Sequence, residues 1–169
     1  MIEKKREIAQ RILVSLYDAW FDHTIISLNP IRETSGLEDG IFHILVSKLE
    51  DRHGFIKAYG SSYTYEITPS GILYVEDNEL LSRDIVDKHR NVRNAVIAHL
   101  IKLFETERPL ADANVDELAV AAGSDKFEIL QDMSFLNEIG YVRDTSVNTY
   151  QITEKGLQSF RGDDYEDIV

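Results

Sequence analysis

The chain of 169 residues has no cysteine. That excludes disulfides, thiolate metal ligands and a cysteine nucleophile, and it suits a reducing compartment. Long apolar runs are missing too. No stretch approaches the roughly 18–20 unbroken apolar residues that a membrane span needs. The opening Met1-Ile2-Glu3-Lys4-Lys5-Arg6 is followed by charges recurring through residues 8–22 rather than by an apolar run of signal-peptide type. The expectation is a soluble, cytoplasmic protein. No glycine-rich phosphate loop, dinucleotide fingerprint or nucleophile–base arrangement occurs, so no catalysis and no cofactor are expected. The histidines His23, His43, His53, His89 and His99 lack the i, i+4 pairing of a ligand motif, and no metal site is expected.

Positive charge is also short, with 18 Lys and Arg against 30 Asp and Glu. Residues 1–78 hold 8 basic and 12 acidic side chains, and residues 79–169 hold 10 and 18. The end, Asp163-Asp164-Tyr165-Glu166-Asp167, reads as a solvated acidic tail over 161–169. Overall acidity opposes nucleic-acid binding, which rests on phosphate neutralisation by Lys and Arg, although a local basic face can exist on an acidic protein.

What the chain does have is an internal repeat. Tyr65-Glu66-Ile67-Thr68-Pro69-Ser70-Gly71-Ile72 matches Tyr150-Gln151-Ile152-Thr153-Glu154-Lys155-Gly156-Leu157 at an offset of 85. Gly54-Phe55-Ile56-Lys57 matches Gly140-Tyr141-Val142-Arg143 at 86, and Phe42, Val46 and Leu49 match Ile129, Met133 and Leu136 at 87. The drift implies single-residue insertions in loops between elements. Asn29 and Asn114 also correspond, each before a short helical stretch.

Each match has a local meaning. The apolar triplets follow the 3–4 spacing of one helix face. Gly54 and Gly140 end those helices in the left-handed region that glycine enters most cheaply. A two-stranded hairpin follows, with turns at Gly60-Ser61-Ser62 and Thr145-Ser146-Val147-Asn148. Thr68 and Thr153 suit N-caps, with Pro69 at a first helical position. Ahead of the second copy, Asn114-Val115-Asp116-Glu117 forms a capping box, Gly123 breaks that helix, and Asp125-Lys126-Phe127-Glu128 opens the next. Ahead of the first copy, Asn29-Pro30 starts a short helix, Gly36 ends it, and Glu38 or Asp39 starts another.

Val115 to Ala119 through Leu136 to Val142, followed by Tyr150 to Gly156, resembles the winged helix-turn-helix superfamily. The Ile-Thr-x-x-Gly ending is similar to that of MarR-like and PadR-like regulators. The resemblance covers residues 24–76 and 110–160 and implies a mainly α protein with small β-hairpins, an α+β chain of tandem winged helix-turn-helix domains. The sequence departs from the pattern in carrying two copies and in lacking a strongly basic recognition surface.

Domain one is placed at 1–78, its first helix presenting Ile8, Ile12, Leu16, Ala19 and Trp20. Domain two is placed at 79–160. Residues 76–79 hold no Pro or Gly, so the last helix of domain one is expected to join a long helix over residues 80–105. In that helix Ile85, His89, Val92, Val96, His99 and Leu103 form a heptad-spaced seam.

In this superfamily the second helix of the helix-turn-helix enters the major groove and the wing touches the backbone or minor groove. The resemblance therefore implies nucleic-acid contacts at His43, Ser47, Lys48, Arg52, Lys57, Tyr59 and Tyr63. Exposed positions in copy one also include Glu38, Asp39 and Asp51; in copy two they are Asp125, Lys126, Glu128, Gln131, Asp132, Asn137 and Glu138, a set that repels phosphate. Leu81, Ile85, His89 and Val92 are candidates for partner contact, the simplest partner being a second copy in a homodimer. Two functions follow: a DNA-binding regulator acting on double-stranded DNA, or an acidic tandem winged-helix adaptor that binds a protein partner.

Overall fold

The computed structural model describes residues 1–60, 62–107 and 112–161. The acidic tail residues 163–167 and Ser61 of the first turn lie outside them. The protein is mainly helical with small antiparallel sheets and divides into two compact units, Met1–Arg83 and Asp84–Val169.

Unit 1 opens with α1 (Ile2–Phe21), whose stripe of Ile8, Ile12, Leu16, Ala19 and Trp20 is buried. There follow β1 (Ile26–Ser27), α2 (Asn29–Ser35), α3 (Asp39–Ser47), β2 (Ile56–Ala58), β3 (Thr64–Ile67) and α4 (Pro69–Asp77). The strands form a sheet in the order β1-β3-β2, with Ile26 opposite Tyr65 and Ile56 opposite Ile67. Unit 2 repeats the order. It has α5 (Arg83–Thr106, beginning on the last residue of unit 1), β4 (Ala113–Asn114), α6 (Val115–Ala122), α7 (Lys126–Glu138), β5 (Val142–Ser146), β6 (Thr149–Ile152) and α8 (Glu154–Arg161). Its sheet runs β4-β6-β5.

Three sequence expectations need correcting. The sheets are three-stranded rather than two-stranded hairpins, because two residues before each pair of short helices pair with the returning strand. A two-residue strand has no room for an alternating pattern, so nothing in the residue types marks it. The long helix is not continuous with α4: α4 ends at Asp77 and α5 begins at Arg83, with Glu79 in between at a φ of 52°. The insertion that separates offsets 87 and 86 is not in a loop. Copy one spans five residues from Leu49 to Gly54 where copy two spans four from Leu136 to Gly140. The extra residue is taken up inside the helix, as a π-helical turn over Lys48–Arg52.

The repeated Ile-Thr-x-x-Gly is a lock between hairpin and closing helix. Thr68 Oγ1 accepts from Gly71 N at 3.1 Å and donates to the carbonyl of Gly54 at 2.5 Å. Thr153 does the same with Gly156 N at 3.0 Å and Gly140 O at 2.6 Å. The amides of Thr68 and Thr153 donate to the carbonyls of Phe55 and Tyr141, each at 3.0 Å. A Cβ on Gly71 would overlap that same Phe55 oxygen and come within 2.7 Å of Ile67 Cγ1; on Gly156 it would overlap Tyr141 O and meet Ile152 Cγ1 at 3.0 Å. Helical Gly→Ala ordinarily stabilises by about 0.5–1 kcal/mol. At these two positions the backbone oxygen has no room to yield, so Gly71→Ala and Gly156→Ala are each expected to destabilise by about 1–3 kcal/mol. Urea denaturation checks the sign; a stabilised variant would contradict the lock.

Candidate functional site

In unit 1 the buried side chains of α3, Phe42 and Val46, and Leu49 of the π-turn leave the opposite face to solvent. That face carries His43, Ile44, Ser47, Lys48, Asp51 and Arg52 around a shallow depression of about 370 Å³. Four of the seven residues marked for nucleic-acid contact are thus brought together: His43, Ser47, Lys48 and Arg52. Ile44, 58% exposed, is the member that sequence reasoning missed. Its position two residues after Phe42 already set it on the far side of the helix.

The other three marked residues sit on the hairpin. Lys57 lies on β2, half-buried and opposite Glu66 in the register. Tyr59 is 49% exposed in the turn. Tyr63 reaches back to α3: its hydroxyl shares a 3.1 Å hydrogen bond with Nδ1 of His43, and Arg32 stands over its ring at 5.9 Å. Burial pushes the Tyr63 phenol above its ordinary value, with Tyr65 adding, Arg32 opposing and Asp39 adding. Tyr63 therefore acts as a neutral brace between the hairpin and α3. The neighbouring acids are partly engaged: Asp39 lies 3.8 Å from Arg32, and Glu50 accepts from the Ala58 amide at 3.0 Å. Asp51 stays on the rim of the depression.

Unit 2 does not reproduce this face. At the offset of 87, Lys48 corresponds to Phe135, which is buried, and His43 to Leu130. The sequence also set Asp132 and Glu128 on an exposed face, and that is corrected. Asp132 is fully buried and Glu128 half-buried, because α7 turns both towards α5. His89 Nδ1 lies 3.1 Å from Glu128 Oε1, and Arg93 Nη1 lies 3.9 Å from Asp132 Oδ1. The two pairs step one turn along both helices in the same direction. Arg93 also stands over the Phe135 ring at 4.9 Å, and Ser124 Oγ donates to the other Glu128 oxygen at 2.5 Å.

Comparison with protein family models, curated proteins and solved structures finds no match for the chain.

The residues marked for partner contact divide. Ile85 is 41% exposed and Leu81 half-buried, whereas His89 and Val92 are buried. The heptad seam is therefore corrected. Its expected period misses Arg93, Ile97, Leu100 and Ile101, all of which are buried on α5. The second histidine of the seam pairs within unit 2, His99 Nε2 lying 2.9 Å from Glu117 Oε1. The capping oxygens come from Asn114, which accepts from Glu117 N at 2.9 Å, and from Asp125, which accepts from Glu128 N at 3.0 Å. In copy one, Asn29 is not a cap; it lies inside α2, and Ser27 Oγ accepts from its amide at 3.2 Å. Among the described residues no group of three or more His, Asp or Glu side chains is placed to hold a metal ion. No helix there is long and apolar enough to cross a membrane.

His89 sets a pH dependence. Burial pushes its imidazole below the ordinary value; the hydrogen bond and charge of Glu128 oppose this, and Arg93 and Lys88 add to it. The folded chain then takes up this proton at lower pH than the unfolded chain, whose imidazole titrates near about 6.5. Stability is full above that value and is lost as pH falls from it through the folded value. The urea midpoint is expected to fall between about pH 7 and about pH 5.5, and the fall to flatten in His89→Gln. An equal fall in the variant would remove His89 as its source.

Proposed function

We propose that the chain is a tandem winged helix-turn-helix protein that binds double-stranded DNA through unit 1, with α3 as the helix presented to the major groove. The observation that carries the reading is the gathering of His43, Ser47, Lys48 and Arg52 on one exposed face of α3 and its π-turn. The recurring order of helix, short strand, two helices, two strands and closing helix supports the fold assignment. Lys57 and Tyr59 on the hairpin are the expected backbone contacts. Unit 2 lacks the basic pair and is proposed to serve assembly; a homodimer would use Ile85, the exposed member of the contact set in that unit.

With so few cations, binding is expected to be weak and strongly salt-dependent. The full chain should bind a fluorescent random-sequence duplex with an affinity that falls as salt rises. Lys48→Ala with Arg52→Ala should reduce the slope of log K against log salt by about 2 and weaken binding to all sequences alike. Unchanged slope and affinity in the double variant would sink the reading.

The second reading, an acidic adaptor that binds protein without DNA, is favoured by a specific observation in unit 2. Val120, Phe127 and Val147 are 83%, 59% and 90% exposed there, on a part of the chain with a large acidic excess. Absence of any salt-dependent duplex binding by the unsubstituted chain selects this reading.

A further inference from the structure

Of the six residues around the depression on the α3 face, Ile44 alone has a wholly apolar side chain, and it is 58% exposed. Four residues before it, on the same helix face, is Gly40, an exposed position at which an added Cβ would meet nothing within 4 Å. Glycine is a poor helix former. Here its missing side chain leaves open room one turn ahead of the isoleucine. Lys48 follows Ile44 by four residues and Arg52 by eight.

The repeat confines this arrangement to unit 1. At the offset of 87, Ile44 corresponds to the half-buried Gln131, and Gly40 to Phe127. Unit 2 has neither the aliphatic side chain nor the glycine at these places.

What an exposed isoleucine can meet on a duplex is limited by chemistry. Lys48 and Arg52 are drawn to phosphates. The base edges in the major groove present hydrogen-bond donors and acceptors, and the one apolar group among them is the C5-methyl of thymine. Covering a donor or acceptor with an aliphatic chain strips its water and returns no hydrogen bond. Against a methyl group, both partners leave water together. Ile44 also lies on the N-terminal side of both cations, and N-terminal residues of such a helix are those that approach base edges.

We propose that Ile44 reads a pyrimidine C5-methyl group in the major groove, with the room beside Gly40 admitting the methyl. The inference rests on the proposal that unit 1 binds double-stranded DNA. It adds a preference that Lys48 and Arg52, which meet phosphates alike at every sequence, do not give. The methyl group has two sources, thymine and 5-methylcytosine.

The test is fluorescence anisotropy of the full chain with four duplexes of equal length. These are alternating A·T, the same duplex with deoxyuridine for thymidine, alternating G·C, and the same duplex with 5-methylcytosine for cytosine. Removing the thymine methyl is expected to weaken binding about fourfold, and adding the cytosine methyl to strengthen it by a similar factor, the worth of one methyl group taken out of water. Within each pair the slope of log K against log salt should not change, since the phosphates are the same. In Ile44→Ser both methyl differences should disappear at an unchanged salt slope. The side chain is exposed, and the urea midpoint shows whether the variant keeps its fold. A difference in one pair alone upholds the proposal and names the source. The proposal is overturned if neither methyl changes binding, or if the differences persist in the folded Ile44→Ser variant. Equal, salt-dependent binding to both members of each pair would overturn it and leave the DNA-binding reading in place; no salt-dependent binding to any duplex would overturn both.

Discussion

Asp132→Ala is expected to destabilise unit 2 by about 3–5 kcal/mol, the cost of leaving a buried charge without its partner. Asp132 is 0% exposed and Arg93 is 7% exposed, with their charged atoms 3.9 Å apart. Removing the carboxylate leaves a guanidinium buried between the helices, beside the Phe135 ring at 4.9 Å. That contact is worth only about 2 kcal/mol even when desolvated, too little to offset the loss. Volume alone does not explain the expected effect: Asp132→Asn keeps the size and removes the charge, and should lie on the same side, at a smaller magnitude. The discriminating variant replaces both partners, Asp132→Leu with Arg93→Met. A buried ion pair exchanged for packed apolar side chains of similar volume is often neutral or stabilising, so the double variant should recover most of the stability. Hydrogen exchange of the α5 and α7 amides, with urea unfolding, measures both. Asp132→Ala within about 1 kcal/mol of the parent would mean that the pair is solvated in solution.

This pair also marks the boundary of what the sequence discloses. Asp132 lies between Ile129 and Met133, whose apolar period defines the buried face, while the helix-turn-helix resemblance sets it among the exposed positions; aspartate is rarely buried unless paired. The pairing partner is 39 residues away on another helix, beyond the reach of local periodicity. The same holds for His89 and Glu128: the glutamate has the position of a capping-box residue, and only the packing of α5 on α7 gives it a different occupation. What periodicity and caps do specify was legible. The α1 stripe, the triplets Phe42-Val46-Leu49 and Ile129-Met133-Leu136, and the caps at Thr68, Thr153, Asn114 and Asp125 are all where local chemistry puts them. At the α3 face, Lys48 and Arg52 are marked by the resemblance and not by the repeat, in which Lys48 corresponds to the buried Phe135. That their helix takes up the extra residue as a π-turn is marked by neither, since an insertion has no residue type of its own.

Ile67→Ala and Ile152→Ala are each expected to cost about 2–5 kcal/mol, because both side chains are removed from well-filled interiors. Ile67 is 0% exposed and Ile152 4% exposed, so the first should be at least as costly as the second. The repeat allows a sharper test than either value alone. Ile67 Cγ1 is one of the atoms that a Cβ on Gly71 would strike, at 2.7 Å, the other being the carbonyl oxygen of Phe55. Truncating Ile67 removes the first obstacle and leaves the second. Gly71→Ala should therefore cost less in the Ile67→Ala background than in the parent, with a coupling in the range of about 0.5–3 kcal/mol for residues in contact. It should nonetheless remain destabilising, since the carbonyl is held by the Thr68 amide at 3.0 Å and its position is part of the hairpin. In unit 2 the corresponding Cγ1 lies farther away, at 3.0 Å, so the coupling between Ile152 and Gly156 should have the same sign and a smaller size. Strict additivity in both cycles would show that isoleucine and glycine recur in this motif for separate reasons. A coupling larger in unit 2 than in unit 1 would contradict the geometry from which the order is derived.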